Sequence, residues 1–155
     1  MEVRLKRVTA ADTEMIWKMQ VESFRELLAK YQDMDTNPAN ETAEKVRIRL
    51  EQPWTYYYVI QSEGKNIGAI RVVDHKENGV RKRISPLFIL PEYRKQGFAQ
   101  MAIEEVEKLH GNENWELETI LQEKGNCYLY DKMGYRRTGK TEVINERLTL
   151  VGYQK

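Results

Sequence analysis

The sequence predicts an α+β fold: a single domain over residues 1–155, built on a mixed, mostly antiparallel sheet flanked by helices. Three observations predict it. Three strand patterns follow one another between Thr55 and Leu90 with turn signals between them, which makes an antiparallel meander. A strong amphipathic helix pattern runs from Gly97 to His110. Strand and helix patterns then alternate to the end, so the order is β-α-α-β-β-β-α-β-α-β-β, a sheet with helices laid against it.

Glu2 to Val8 alternates, with Val3, Leu5 and Arg7 on one face and Arg4, Lys6 and Val8 on the other. This reads as a half-buried first strand. Thr9-Ala10-Ala11-Asp12 has the form of a capping box, with Asp12 in the place usually held by Glu. Met15, Ile16, Met19, Phe24, Leu27 and Leu28 then keep helical spacing to about Tyr31. Gln32 to Ala39 breaks the pattern at Pro38, and Asn40 is expected to cap a second helix with the stripe Ala43, Val46, Leu50. Pro53 stops it. Thr55 to Gln61 is β-branched and aromatic, Asn66 to Val73 follows after the turn Ser62-Glu63-Gly64-Lys65, and Asn78-Gly79 signals a hairpin into Val80 to Leu90. The run Tyr56-Tyr57-Tyr58 alternates across its strand, so at least one ring faces the core.

Pro86 interrupts the last of these strands. Proline cannot donate to a ladder, so it marks an edge or a bulge, and the strand is expected to part from a neighbour there. Phe98, Ala99, Ala102, Ile103, Val106 and Leu109 form the stripe of the long helix, with Gly111 ending it and His110 expected as a cation at its C-terminus. Trp115 to Leu121 is a strand, Asn126 to Met133 a short helix closed by Gly134, and Tyr135 to Thr141 and Glu146 to Val151 are two last strands, separated at Ile144-Asn145.

Composition removes several classes of function. Lys and Arg number 25 against 24 Asp and Glu, so no global field draws the chain to nucleic acid or to an anionic membrane. A hydrophobic content of 41% supports a packed core despite 32% charged residues. Cys127 is the lone cysteine, which rules out an intramolecular disulfide and a thiolate metal cluster and suits a reducing cytosol. Met1 to Val8 lacks an apolar stretch of signal-peptide length and no run is long enough to span a bilayer. A cytoplasmic location is expected.

The chemistry-bearing segment is Arg94-Lys95-Gln96-Gly97-Phe98-Ala99, which joins the Pro86 strand to the long helix. A strand-to-helix junction directs unpaired backbone N–H groups outward, and the helix dipole adds positive potential. Gly97 and the small Ala99 permit close approach of an anion, and Arg94 and Lys95 add charge. These residues form either a diphosphate site or a plain turn with solvated basic side chains. Neither GxGxxG nor GxxxxGK[ST] occurs, which weighs against a dinucleotide fold or a nucleotide triphosphatase.

Leu87-Phe88-Ile89-Leu90-Pro91-Glu92-Tyr93-Arg94-Lys95-Gln96-Gly97-Phe98-Ala99 resembles the central motif of the GNAT superfamily of N-acetyltransferases, L-x-V-x-P-x-Y-R-x-x-G-x-G/A. Leu129-Tyr130-Asp131-Lys132-Met133-Gly134-Tyr135 resembles a second element of that family, L-Y-E-K-x-G-F, at the right separation. The resemblance covers the order of elements over nearly the whole chain. It implies a GNAT-like sheet with splayed central strands and acetyl-CoA as the acyl donor, with no metal. Leu87, Phe88 and Ile89 would pair with the pantetheine arm, and the turn Lys95, Gln96, Gly97, Phe98, Ala99 and Gln100 would hold the pyrophosphate. Arg94 would either touch phosphate or hold the loop.

The resemblance also assigns the proton transfers. Tyr130 matches the family's tyrosine beside the cofactor sulfur, hence the candidate acid; a phenol is protonated at neutral pH. Its other reading is core packing. Glu118 stands where some amine-acetylating members carry the base, and its other reading is a solvated strand residue. Glu123 and the pair Asp74 and His75 are weaker candidates. The chain departs from the common pattern at Glu123 and Asn126, where many members have Asn and Ala. Asn126 either replaces the missing pantetheine contact or caps the helix after Gly125. Cys127 reads as a small semi-buried helix residue. The acceptor site would be bordered by residues 31–42 and the second helix, where Asp33, Asp35 and Glu41 make either an acidic rim that suits a cationic amine or an ordinary polar loop. The expectation is therefore acetyl transfer to a small-molecule or peptide amine, with a non-catalytic acyl-CoA-binding sensor as the rival and a homodimer edge at the last strands.

Overall fold

The computed structural model describes residues 2–155. Its sheet has seven strands: β1 (Arg4–Arg7), β2 (Thr55–Ser62), β3 (Lys65–Val73), β4 (Lys82–Ile89), β5 (Trp115–Ile120), β6 (Arg136–Asn145) and β7 (Leu148–Gln154). Four helices flank it: α1 (Thr13–Tyr31), α2 (Ala43–Glu51), α3 (Phe98–His110) and α4 (Lys124–Lys132). The strand order is β1-β2-β3-β4-β5-β7-β6, antiparallel throughout except for β4 with β5. This is the mostly antiparallel α+β sheet that the sequence predicts. Among the described residues no helix is long and apolar enough to cross a membrane.

Strand alternation builds a core on each face. Tyr58 and Ile60 of β2 join Ile103, Val106 and Trp115 on the side of α3 and α4. Tyr57 and Val59 join Ile16, Met19 and Val46 under α1 and α2. Two of the three consecutive tyrosines are thus buried on opposite faces. The capping box forms as expected, with Thr9 taking the Ala11 amide and Asp12 taking the Thr9 amide.

Several boundaries differ from expectation, each for a local reason. Thr42, not Asn40, caps α2 by accepting from the Lys45 amide at 3.2 Å. Asn40 lies in the short helical turn that Pro38 starts, and its side-chain Nδ2 donates to the Met34 carbonyl. α4 begins at Lys124, ahead of the expected Asn126. β6 runs unbroken to Asn145, because the Asn145 carboxamide accepts from the amides of Arg147 and Leu148 and so sets the hairpin turn after itself. Leu109 sits beside the apolar stripe rather than in it and is exposed. His110, the last residue of α3, is not an exposed cation; its side chain is buried against Asp74, and Gly111 caps the helix.

Two irregularities position the site. Between β3 and β4 the register passes from Ile70↔Leu87 to Val72↔Ile84, so β4 bulges by one residue at Ser85-Pro86. β4 then pairs with β5 only at Lys82↔Trp115 and Arg83↔Glu116. Beyond Arg83 the two strands part, and β5 continues with β7 as its partner. The separation expected from Pro86 is where a cleft opens.

Candidate acyl-donor and acceptor cleft

The cleft encloses about 900 Å³ and lies between the parted strands, with α1, α3 and α4 completing its walls. Leu87, Phe88, Ile89, Arg94, Lys95, Gly97, Phe98, Ala99, Gln100, Asn126, Tyr130 and Glu118 all line it. The structure thus brings Glu118, Tyr130 and all but one of the residues assigned to the acyl donor to one cavity. The exception is Gln96, exposed in the same turn between Lys95 and Gly97.

The turn at one end has the backbone an anion needs. Lys95 at φ 62° and Gly97 at φ 85° both sit in the left-handed region, which points successive amides toward one place. No side chain caps α3 at Gly97. The amides of its first turn therefore have no partner within the helix. The 13-residue helix adds its positive end there. A Cβ on Gly97 would meet only the Met101 methyl at 3.7 Å, so glycine is required by its torsion and not by lack of room. The Phe98 ring packs into the core, and the Gln100 side chain donates to Glu104. These two residues offer backbone, not side chain, to the cleft. Arg94 takes the loop-holding role: its Nε donates to the Ile89 carbonyl at 2.9 Å and its Nη2 to the Ser23 carbonyl at 2.5 Å.

On the walls, Tyr130 packs its ring against Tyr135 and Tyr153, each with centroids 5.8 Å away. Burial raises its hydroxyl pKa well above the ordinary phenol value, so it holds its proton at neutral pH. Glu118 Oε1 accepts from Arg83 Nη2 at 3.1 Å, and its side chain remains partly open to the cleft. Glu123 is held differently. One of its oxygens accepts from the Tyr31 hydroxyl at 2.5 Å and from Lys30 Nζ at 2.8 Å. Burial opposes its charge, yet those two hydrogen bonds outweigh it and hold the carboxyl below the usual range. Asn145 completes this wall by donating to the Tyr31 carbonyl at 2.9 Å.

The remaining candidates fall elsewhere. Asp74 borders a separate cavity of about 570 Å³ beyond the C-terminus of α3, where its Oδ2 pairs with His110 Nδ1 at 2.9 Å and His110 Nε2 meets the Tyr58 hydroxyl at 2.9 Å. His75 stacks on Trp54. Cys127 is buried with its sulfur 3.8 Å from the Ile120 carbonyl, a packing residue as read. Glu41 forms a two-pronged pair with Arg49. Sequence reasoning missed Arg83, Ser23 and Gly68, and took Tyr31 only as the start of the acceptor border. Only Gly68 carried a local signal, a glycine inside a strand: a Cβ there would stand 2.1 Å from the Phe88 carbonyl oxygen.

Comparison with known proteins agrees with this geometry. The profile of the acetyltransferase (GNAT) domain matches residues 53–137, and the chain belongs to that family. Among solved structures it is similar to an acetyltransferase from Thermus thermophilus, with TM-score 0.73 and 15% identity over 99% of this chain and 96% of that one. It is also similar to spermidine N-acetyltransferase from Vibrio cholerae in complex with CoA and spermine, at TM-score 0.75 and 16% identity over 98% of this chain and 94% of that chain. A third is the ribosomal-protein-S18-alanine N-acetyltransferase from Escherichia coli, at TM-score 0.73 and 10% identity over 97% and 91%. No curated protein matches the chain by sequence.

Proposed function

We propose that the protein transfers an acetyl group from acetyl-CoA to a primary amine by direct attack of the amine on the thioester. The observation that carries this reading is the cleft left where β4 departs from β5, ending at the uncapped start of α3. In that cleft the amides from Gln96 to Gln100 receive the pyrophosphate, and the β4 backbone at Leu87, Phe88 and Ile89 pairs with the pantetheine arm as a neighbouring strand would. Asn126 bonds the arm in the role that Glu123, occupied by Lys30 and Tyr31, does not fill; its position on the first turn of α4, lining the same cavity, supports this.

Acetyl-CoA supplies the activated acyl carbon. The chain's residues supply proton movement. Glu118 accepts the proton that the attacking ammonium must lose, directly or through one water. Arg83 fixes one oxygen of that carboxylate and leaves the other for the proton. Tyr130 donates its proton to the departing sulfur as the C–N bond forms and the C–S bond breaks. A binding-only sensor would need the turn but neither proton-transfer group; both stand on the walls of this cleft.

The test is a screen of acetyl-CoA with primary amines of several classes, reading free thiol, on the full chain and on Tyr130→Phe and Glu118→Gln. Tyr130→Phe is expected to lower turnover about 100-fold or more with CoA affinity nearly unchanged. Glu118→Gln is expected to lower turnover. Titration with CoA that yields neither heat nor a thermal shift would overturn the reading, and full activity in Tyr130→Phe would remove that residue from its role.

A further inference from the structure

The acidic rim read from the sequence is not uniform once folded. Glu118 is paired with Arg83, Glu123 with Lys30 and Glu41 with Arg49. Asp35 is exposed. Asp33 differs from them all. It is only 4% exposed, it lines the cleft, and it has no cationic partner among the described residues. Its oxygens accept from the amides of Asp35 and Thr36 and from the Thr36 hydroxyl. Those bonds keep the carboxylate in place without cancelling its charge.

The position of Asp33 adds further negative potential beside that charge. Gln32 ends α1 at φ 53° with its amide on the Leu28 carbonyl, so Asp33 follows directly on the negative end of a 19-residue helix. A helix C-terminus disfavours an anion and favours a cation. An uncompensated buried carboxylate at such a place is costly unless something positive comes to it. A second group in the same wall also awaits a partner: Ser23 Oγ, on α1, is buried and makes no hydrogen bond among the described residues. Buried polar atoms are nearly always satisfied in a completed site.

We infer that Asp33 is the subsite for a second positive charge on the acceptor, and that the acceptor is a dication: a primary amine at the reacting end and an ammonium or guanidinium held by Asp33. This rests on the amine-acetylation reading and names the class of amine. One end of the molecule gives its proton to Glu118 while the other is neutralised at the end of α1. A monoamine of equal length fills the apolar part of the cleft but leaves Asp33 unpaired.

The experiment compares diaminobutane and diaminooctane with butylamine and octylamine, measuring kcat/KM on the full chain, on Asp33→Asn and on Glu22→Gln. Asparagine keeps an oxygen for the Asp35 and Thr36 amides and a donor for the Thr36 hydroxyl, so it removes charge while preserving the turn. The wild type is expected to prefer the better-fitting diamine over its monoamine by about 10- to 100-fold. Asp33→Asn should erase that ratio by lowering kcat/KM for the diamine more than for the monoamine, while Glu22→Gln, which removes an exposed charge of α1 outside the cleft, should retain it. Equal losses for diamine and monoamine, or an unchanged ratio, overturn the inference. Should no amine turn over, calorimetry of diaminooctane into the CoA-loaded protein decides separately. Heat lost in Asp33→Asn supports the subsite even as the catalytic reading fails; absence of binding, or binding unaltered in Asp33→Asn, rejects the subsite.

Discussion

Replacing Gly68 by alanine tests whether the β4 backbone shapes the donor cleft. Gly68 faces Ile89 across the β3–β4 ladder. An added Cβ would lie 2.1 Å from the Phe88 carbonyl oxygen and 3.0 Å from the Ile89 Cα. Both obstacles are backbone, so no rotamer change relieves them. Ordinary contact between such atoms is a little over 3 Å, so β4 must retreat by about 1 Å. Overpacking of this kind costs about 1–3 kcal/mol, and a domain of this size loses about 2–4 °C of Tm for each kcal/mol. The expected fall in Tm is therefore about 2–12 °C. The displaced residues are the ones assigned to the pantetheine arm, so CoA affinity should drop along with stability. One misplaced backbone hydrogen bond accounts for about 1 kcal/mol, hence a Kd about five- to tenfold weaker. Differential scanning fluorimetry and isothermal titration with CoA read the two quantities. A variant with unchanged Tm and unchanged Kd would refute the placement of β4. A lower Tm with unchanged Kd would refute only the role of Phe88 and Ile89 in holding the arm.

Gly97→Glu should abolish CoA binding, because it places a carboxylate among the amides of the α3 start and a Cβ at φ 85°; isothermal titration checks it, and retained binding would discredit the turn. A pH effect on stability follows from His110. Burial lowers its pKa below the ordinary value and its bond to Asp74 only partly offsets this. The unfolded chain then takes up a proton near pH 6.5 before the folded chain does. Stability conferred by neutral His110 is complete above that pH and is lost as pH falls through the lower folded value. His110→Gln, which retains hydrogen-bonding groups but does not titrate, should show a shallower decline of Tm between pH 7 and pH 5 than the wild type. Parallel declines would show that His110 is not the group responsible.

What the sequence made legible was local. The α3 stripe, the meander and the turn at Gly97 are set by neighbours in the chain, and their spacing could be read directly. Pro86 announced the parting of β4 from β5, because a missing donor has a structural consequence wherever it falls. The pairings that complete the cleft are not local. Tyr31 meets Glu123, and Arg83 meets Glu118, across separations that no periodicity encodes. The rim at Asp33, Asp35 and Glu41 looked uniform for the same reason. Only folding supplied Arg49 to Glu41 and left Asp33 without a cation. His110 was misread because its local context, the last turn of a helix beside glycine, favours an exposed cation. Tyr58 from β2 and Asp74 from the loop after β3 reach its side chain and help bury it.

The residues matched by the family profile, 53–137, hold β4, the Gly97 turn, β5 and α4. The opposite wall comes from outside that span: Ser23 and Asp33 precede it, and Asn145, Leu148 and Leu150 follow it. On the function proposed above, the shared segment carries the half of the cleft that faces the donor, while the flanks that meet it at Tyr31 and Asn145 carry the half that faces the acceptor. Selectivity would then be a property of the flanks, and exchanging them should retarget the acetyl group while the donor half stays as it is.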